Sequence, residues 1–320
     1  MTTPAAVVFV DNSIVLRVDY QTSPGAPSAG RETLSEDQRA SLPYDTGRQS
    51  TVIKINHYDQ LVQIKMGREV NGDVPYVTAA YLVDGLLIDT GPSHTATELA
   101  RAIEGLYVRL AVNTHYHEDH IGGNAVLMRK FGIMVLASGI SVPLIKQEPH
   151  LYPIGEKAWG TPEPTDVDCL PETIATDHYR FDVIDTPGHC QGHVALVQPS
   201  RGWCFSGDLY MPWQPTRYRA SEEDLTETIR SMKKLIDLDT EQLILCTSVG
   251  RVVQDGRSAL RSRIEYYQNL AQRARQLEKN GLSVAAIRYE LFGEESPIAE
   301  STGGDISSEH LIKALLTAEI

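Results

Sequence analysis

The sequence has few basic residues and no long apolar run. Among its 320 residues, 29 are lysine or arginine and 42 are aspartate or glutamate, which gives a formal net charge of −13 at pH 7. Nucleic acids and anionic lipid surfaces both attract clustered positive charge, so this balance argues against either one as a partner. No stretch approaches the roughly 20 apolar residues that a membrane-spanning helix needs. We therefore expect a protein that binds neither nucleic acid nor membrane.

Cysteine is scarce as well. The four cysteines show no C-x-x-C spacing, which excludes a zinc knuckle and makes a disulfide framework a poor interpretation. The first residues, MTTPAAVVFVDNS, contain no basic segment and only a short apolar run, and so do not fit a signal peptide. These absences predict a cytoplasmic protein. We leave open whether the protein forms a homodimer.

The pattern of apolar residues and turn residues predicts three regions. Residues 21–49 are rich in proline, glycine, serine and charge, which is typical of a loop or a loosely attached arm. From Thr51 short β-rich segments alternate with helical ones, which favours layered α and β structure, and the Asp84-Gly85 pair predicts a hairpin. The proline-rich segment 140–176 predicts irregular structure, and the pattern beyond Arg257 is helical. We predict an N-terminal strand or arm (1–50), a main α/β domain (51–255) and a C-terminal helical region (256–320).

Three histidines and two carboxylates fall within six consecutive residues of the stretch NTHYHEDHIGG. His115 and His117 are two positions apart, so on an extended segment their side chains point to the same side. Asp119 and His120 follow where the chain turns into a helix. Imidazole and carboxylate are preferred ligands of zinc and similar ions, so one metal can take the first pair and a second metal the other.

Further candidate ligands follow later strands. His189 in DTPGHCQGH could be a third ligand of the first metal, and Asp208 in SGDLY could be a bridging carboxylate. His193 could hydrogen-bond a ligand or contact substrate, but a supporting or core position is the preferred interpretation. Cys190 is interpreted as a small packing residue.

In this order, and preceded by LLIDTGP, these motifs resemble the metallo-β-lactamase superfamily over roughly 51–255. The resemblance implies an αβ/βα sandwich with a metal site at one edge of two facing sheets, and here a small C-terminal helical appendage. It implies one or two divalent ions, zinc first, with iron or manganese as alternatives. The implied first metal is held by His115, His117 and His189, the second by Asp119 and His120; Asp208 bridges them, and Asp89 supports the site from behind.

One ligand of the superfamily is missing. Members usually carry a further histidine after the last core strand, where this chain has Ser248 in LILCTSVGRVV. After His193 the only histidine is His310, in the C-terminal region. We expect the second metal to be bound more weakly, with water, Ser248 or Cys246 completing its ligands. A mononuclear enzyme is the alternative.

The resemblance implies a hydrolase that uses a metal-bound hydroxide, with Asp119 orienting that nucleophile or relaying its proton. Members with a helical appendage resemble thioesterases, lactonases and glyoxalase-II-type enzymes. We therefore predict a small substrate with a thioester, ester or lactone bond. Six arginines between Arg251 and Arg275 could lie near an anionic group of that substrate. The alternatives are a phosphodiesterase of the same superfamily, and a non-catalytic binding or regulatory protein with a degenerate metal site.

Overall fold

The computed structural model describes residues 6–10, 13–20, 49–69, 74 and 76–320, so most of the predicted arm at 21–49 lies outside the described residues. The chain forms two compact units. The first consists of Met1–Pro171 and Ala175–Tyr179, and the second of Glu172–Ile174 and Arg180–Ile320.

The described part of the first unit contains a nine-stranded sheet whose strands follow chain order. Neighbouring strands are antiparallel as far as the sixth strand, and the last four strands are parallel to one another. The strands are β1 (Ala6–Val10), β2 (Ser13–Tyr20), β3 (Gln49–Tyr58), β4 (Leu61–Glu69), β5 (Val77–Val83), β6 (Gly85–Ile88), β7 (Val108–Val112), β8 (Met134–Ala137) and β9 (Asp168–Cys169).

The hairpin predicted at Asp84-Gly85 is confirmed. Val83 pairs with Leu86, so the two residues between them form the whole connection from β5 to β6. Both have positive φ, 49° for Asp84 and 79° for Gly85. Such two-residue turns match the right-handed twist of the strands they join, and aspartate followed by glycine adopts them readily.

Five α-helices lie in the described part of the first unit: α1 (Ala96–Ala102), α2 (Glu118–Ile121), α3 (Asn124–Phe131), α4 (Ser141–Ile145) and α5 (Pro153–Trp159). Leu99 of α1 and Leu127 of α3 share one buried apolar cluster with the sheet residues Ile64 and Leu87. Burying each such side chain contributes about 1.5–3 kcal/mol.

The prediction of irregular structure over 140–176 is wrong in part, because α4, α5 and β9 lie there. Pro153 is one of the prolines that suggested a loop, yet it begins α5. The first position of a helix needs no N–H donor, so a proline there favours the helix instead of breaking it.

The second unit is built on a six-stranded sheet, with a separate two-stranded one among its described residues. In the larger sheet the strand order is β10 (Thr173–Ala175), β11 (Arg180–Asp185), β12 (Val194–Gln198), β13 (Trp203–Gly207), β15 (Ile244–Thr247) and β16 (Val252–Val253). β13 and β15 are parallel. The small sheet pairs β14 (Tyr218–Arg219) with β17 (Ile306–Ser307).

The helices of the second unit are α6 (Leu225–Ile236), α7 (Gly256–Lys279), α8 (Val284–Phe292), α9 (Pro297–Ser301) and α10 (Ser308–Thr317). Leu260 and Leu270 of α7 lie in one apolar core with residues of α6 and α10. Ser283 caps α8, since its hydroxyl accepts from the Ala286 N–H. The prediction of purely helical structure after Arg257 misses β17. No helix of the described residues is long and apolar enough to cross a membrane.

Candidate metal centre

Two parallel strands of the first unit end side by side and begin the site. Ile88 of β6 pairs with Val112 of β7, so the residues that follow, Asp89 and Asn113, leave the same edge of the sheet. The Asp89 N–H donates to the carbonyl of Val112 at 2.8 Å. Asp89 has a φ of 61°, in the left-handed region that costs a non-glycine residue about 1 kcal/mol. The hydrogen bonds of its side chain offset that strain.

The Asp89 carboxylate joins two neighbours of the histidine stretch. It accepts from the backbone N–H of Thr114 at 2.8 Å and from the Thr114 hydroxyl at 3.0 Å. Its Oδ2 lies 2.9 Å from Nδ1 of His120, and both side chains are buried. A carboxylate only accepts, so this contact assigns the proton of His120 to Nδ1 and the lone pair to Nε2. Asp89 therefore occupies the supporting position that the resemblance implied for it.

The imidazole of His120 turns its other nitrogen toward Asp119. His120 Nε2 lies 3.6 Å from Asp119 Oδ2. A ring nitrogen with a lone pair and a carboxylate oxygen thus face each other at the beginning of α2. These are the two groups predicted to share the second metal.

His115 and His117 form the other predicted pair. Nε2 of His115 lies 3.0 Å from Nδ1 of His117, and both rings are buried. The Thr114 hydroxyl lies 3.0 Å from Nδ1 of His115; its single proton goes to Asp89, so it accepts the Nδ1 proton of that imidazole. The Nε2 lone pair of His115 then faces His117. Two nitrogens in this arrangement can share a proton or bind the same cation.

Three further polar residues hold the backbone of His120. The hydroxyl of Thr90 and the amide of Asn113 both donate to the carbonyl of His120, at 3.0 and 3.1 Å. The Asn113 amide also donates to Oδ1 of Asn124 at 3.2 Å, and the Thr90 hydroxyl, whose single proton serves one acceptor at a time, lies 2.8 Å from the same oxygen. Sequence reasoning missed this network, because no spacing rule connects the three residues. We refer to Asp89, Thr114, His115, His117, Asp119 and His120 as the first cluster.

The second unit brings together the other two predicted ligands. His189 follows β11 and Asp208 follows β13, and His189 Nε2 lies 3.5 Å from Asp208 Oδ2. Gly207 pairs with Thr247 in the parallel strands β13 and β15, so Asp208 and Ser248 leave the same edge of the sheet. Ser248, which stands where the superfamily usually has a histidine, therefore follows the strand next to the one that Asp208 follows.

The side chain of Ser248 is buried, and its hydroxyl makes no hydrogen bond to any described residue. An unsatisfied buried hydroxyl costs about 1–3 kcal/mol, so a polar partner at this position would stabilise the fold.

His193 orients Asp208 instead of presenting a nitrogen as a ligand. Its Nε2 accepts from the backbone N–H of Asp208 at 3.1 Å, so the proton lies on Nδ1, which is 2.8 Å from the hydroxyl of Thr186. Both ring nitrogens of His193 therefore have hydrogen-bond partners within the second unit. This favours the supporting position preferred from the sequence.

The buried cysteines of the second unit are poor thiolates. Burial raises the pKa of Cys204 to about 12 and raises that of Cys246 as well. A metal binds the thiolate form, so this environment disfavours Cys246 as a completing ligand. Cys190 is fully buried, and its interpretation as a small packing residue stays a prediction.

Glu223 is a neighbour of His189 that sequence reasoning missed. Its Oε1 lies 4.0 Å from Nδ1 of His189. Burial raises the pKa of Glu223 to about 8, against the opposing charge of Arg219. We refer to His189, Asp208, Glu223 and Ser248 as the second cluster.

Three of the six arginines considered for an anionic substrate bind backbone carbonyls instead. Arg257 donates to the carbonyls of Ile236, Leu238 and Thr240 beyond the end of α6, and Arg275 donates to those of Leu315 and Ala318. Arg263 is buried and donates to the carbonyls of Met211 and Trp213. Arg251, Arg261 and Arg273 are exposed.

The donor atoms of both clusters suit a divalent metal. Each cluster pairs imidazole nitrogen with carboxylate oxygen, which zinc, iron and manganese all accept. In the first cluster a carboxylate also holds the non-ligating nitrogen of a histidine, an arrangement typical of protein metal sites. The residues therefore fit the ions that the resemblance implied.

Comparison with known proteins agrees with this chemistry. The sequence profile of the metallo-beta-lactamase superfamily matches residues 73–246. A hydroxyacylglutathione hydrolase of Thermosynechococcus vestitus is 30% identical over 146 residues, which are 45% of this chain and 52% of that protein. One of Xanthomonas euvesicatoria is 29% identical over 175 residues, which are 54% of this chain and 60% of that protein. The chain thus spans little more than half the length of these curated relatives.

Solved structures agree on the fold. A metallo-beta-lactamase from Pontibacter korlensis superposes with a TM-score of 0.55 at 20% identity, over 68% of this chain and 99% of that one. A metallo-beta-lactamase family protein from Thermus thermophilus gives 0.54 at 18% identity, over 75% of this chain and 87% of that one. At such identity the likeness concerns the fold alone, and it confirms the predicted fold class.

Proposed function

The chain belongs to the metallo-β-lactamase superfamily, and from that premise we propose that it is a metal-dependent hydrolase of acyl bonds. One observation carries the proposal: in the first cluster, buried ring nitrogens of His115 and His117 face each other at 3.0 Å. Two imidazole nitrogens at this distance can bind the same cation, and the superfamily of the chain supports that interpretation over a shared proton.

The proposed ligands follow the superfamily pattern, residue by residue. They are His115, His117 and His189 for one ion, Asp119 and His120 for the other, with Asp208 between the two. Zinc is the proposed ion, since it accepts imidazole and carboxylate in this ratio. A divalent ion bound there would lower the pKa of a water molecule and polarise the acyl carbonyl.

The protein residues would hold the reacting groups and move protons. Asp119 is the proposed catalytic residue, because its carboxylate is partly exposed while the neighbouring imidazoles are buried. It would orient the attacking water and take its proton, as a general base does. Asp89 would keep the Nδ1 proton on His120, and His193 would fix the backbone of Asp208.

The proposed substrate is a small molecule with a thioester, ester or lactone bond. The names of the relatives support a thioester, because a hydroxyacylglutathione carries its acyl group on sulfur. Trp213 is the proposed contact for the substrate. It follows Asp208 in the chain and is 40% exposed, whereas the ring of Tyr210 lies 5.1 Å from the buried Arg263 guanidinium.

A substrate panel tests the function. Protein loaded with zinc is assayed against an acyl thioester, a lactone, a phosphodiester and a β-lactam. We expect kcat/KM for the thioester or the lactone to exceed that for the other two by at least about tenfold, a difference of about 1.4 kcal/mol. The rate should fall with a chelator and return with zinc. Hydrolysis of the phosphodiester alone, or an equal rate for His115→Ala, would overturn the proposal.

A further inference from the structure

Glu223 approaches His189 on the side of the ring opposite to Asp208. Nδ1 of His189 lies 4.0 Å from Glu223 Oε1, and Nε2 lies 3.5 Å from Asp208 Oδ2. The two nitrogens are on different edges of the imidazole, so the two carboxylates cannot serve the same ring nitrogen. Nε2 is the nitrogen that faces the predicted bridging ligand, and Nδ1 is the one that faces Glu223.

Backbone contacts fix Glu223 relative to His189. The N–H of Asp224, the next residue, donates to the carbonyl of Gly188 at 2.7 Å, directly before His189. Gly188 has a φ of 133°, and a Cβ built there would lie 2.3 Å from the backbone nitrogen of Thr228. Only glycine fits this turn against the beginning of α6, so the segment before α6 and the turn that carries His189 are held together.

Tyr218 and residues of the C-terminal region also hold this segment. The Tyr218 hydroxyl donates to the carbonyl of Glu223 and accepts from the N–H of Leu225. Asp305 accepts from the N–H and the hydroxyl of Ser221, at 2.9 and 2.8 Å. The pairing of β14 with β17 adds to this attachment. Glu223 is therefore placed by the fold and not by a flexible surface loop.

We propose that Glu223 is a positioning residue for His189: an oxygen of its carboxyl group accepts the Nδ1 proton and leaves the Nε2 lone pair toward the metal. This inference rests on the proposed ligand role of His189. The 4.0 Å separation is roughly 1 Å longer than a hydrogen bond, so the proposal requires the Glu223 side chain to move toward the ring when the metal is bound. Asp89 has the same relation to His120 in the first cluster, where the distance is 2.9 Å.

Metal affinity in three variants tests the inference. Zinc binding is measured by competition with a chromogenic chelator for wild type, Glu223→Ala and Glu223→Gln, with Glu222→Ala as matched control. Glu222 forms an ion pair with Arg219 at 3.0 Å and is the adjacent glutamate. We expect Glu223→Ala to weaken zinc by about 10- to 100-fold, as is typical for a residue that supports a metal-binding histidine. Glu223→Gln, which keeps an acceptor, should lose less, and the control should stay within about twofold.

A second readout separates positioning from general stability. Long-range ¹H–¹⁵N spectra of the zinc-loaded protein report which nitrogen of His189 carries the proton. We expect Nδ1 in wild type and in Glu223→Gln, and a faster exchange of that proton with water in Glu223→Ala. Equal zinc affinity in wild type and Glu223→Ala, with an unchanged His189 signal, would overturn the inference. If His189→Ala also bound zinc as tightly as the wild type, the proposed ligand set itself would be wrong. That result differs from one in which only the inference about Glu223 fails.

Discussion

The first and second clusters differ in how their side chains are held. In the first cluster, residues that are close in sequence lie in a buried network, where Asp89 and Thr114 assign protons to two imidazoles. In the second cluster, residues from separate strand ends approach at 3.5 and 4.0 Å, and Ser248 stands where the superfamily usually has a histidine. The first cluster is thus preorganised without a metal, and the second depends more on its supporting residues.

This difference predicts unequal effects when residues of either cluster are changed. Each proposed ion takes ligands from both clusters. Ligands that are already ordered cost less free energy to fix when the ion binds, so the first cluster should contribute more to retaining either ion. The following variants, from the largest expected effect to the smallest, test whether that ranking holds.

The largest effect is expected for His115→Ala and His189→Ala. Each removes an imidazole from the proposed first metal, so we expect the loss of most bound metal and of nearly all activity. Elemental analysis of the dialysed variants measures the bound metal, and the thioester assay measures the activity. Full metal content in both variants would mean that these histidines are not ligands.

A smaller loss is expected for Asp89→Asn. The amide removes the charge that holds the Nδ1 proton of His120, so affinity for the second metal should fall by about 10- to 100-fold. Asp84→Asn is the matched control, because Asp84 also has a positive φ, 49°, and binds His178 at the surface. Metal titrations followed by calorimetry compare the two variants. An equal effect at both positions would show that the loss of one carboxylate charge, and not the contact with His120, is responsible.

The smallest effect is expected for Cys190→Ser. The side chain is fully buried, and the two residues have nearly the same shape, so metal content and activity should remain close to wild type. Thermal unfolding should shift only slightly, by the cost of burying a hydroxyl. A clear loss of metal in a folded variant would contradict this prediction, because it would identify Cys190 as a metal ligand like the histidines.

Much of the first cluster could be predicted from the sequence, because all its residues except Asp89 lie between positions 114 and 120 and extended spacing decides which side chains share a side. The Asp84-Gly85 hairpin and the Ser283 cap were predictable for the same reason, since both are local. Glu223 was not, because its contact with His189 depends on how α6 packs against a distant turn. The hydrogen bonds of Arg257 and Arg275 to backbone carbonyls could not be predicted either, because a sequence shows where a positive charge lies and not which carbonyl it will contact.

Metal stoichiometry of wild type and Ser248→His tests most directly the claim that the proposed sites are unequal. Both proteins are dialysed against a weak chelator and analysed for zinc. A serine hydroxyl is a poor neutral ligand beside imidazole and carboxylate, so the wild type should keep one tightly bound ion and lose the second more readily. The variant should keep both, provided the turn accepts an imidazole, which its circular dichroism and thermal unfolding will show. Two equally tight ions in the wild type would contradict the account, because another group would then have replaced the histidine.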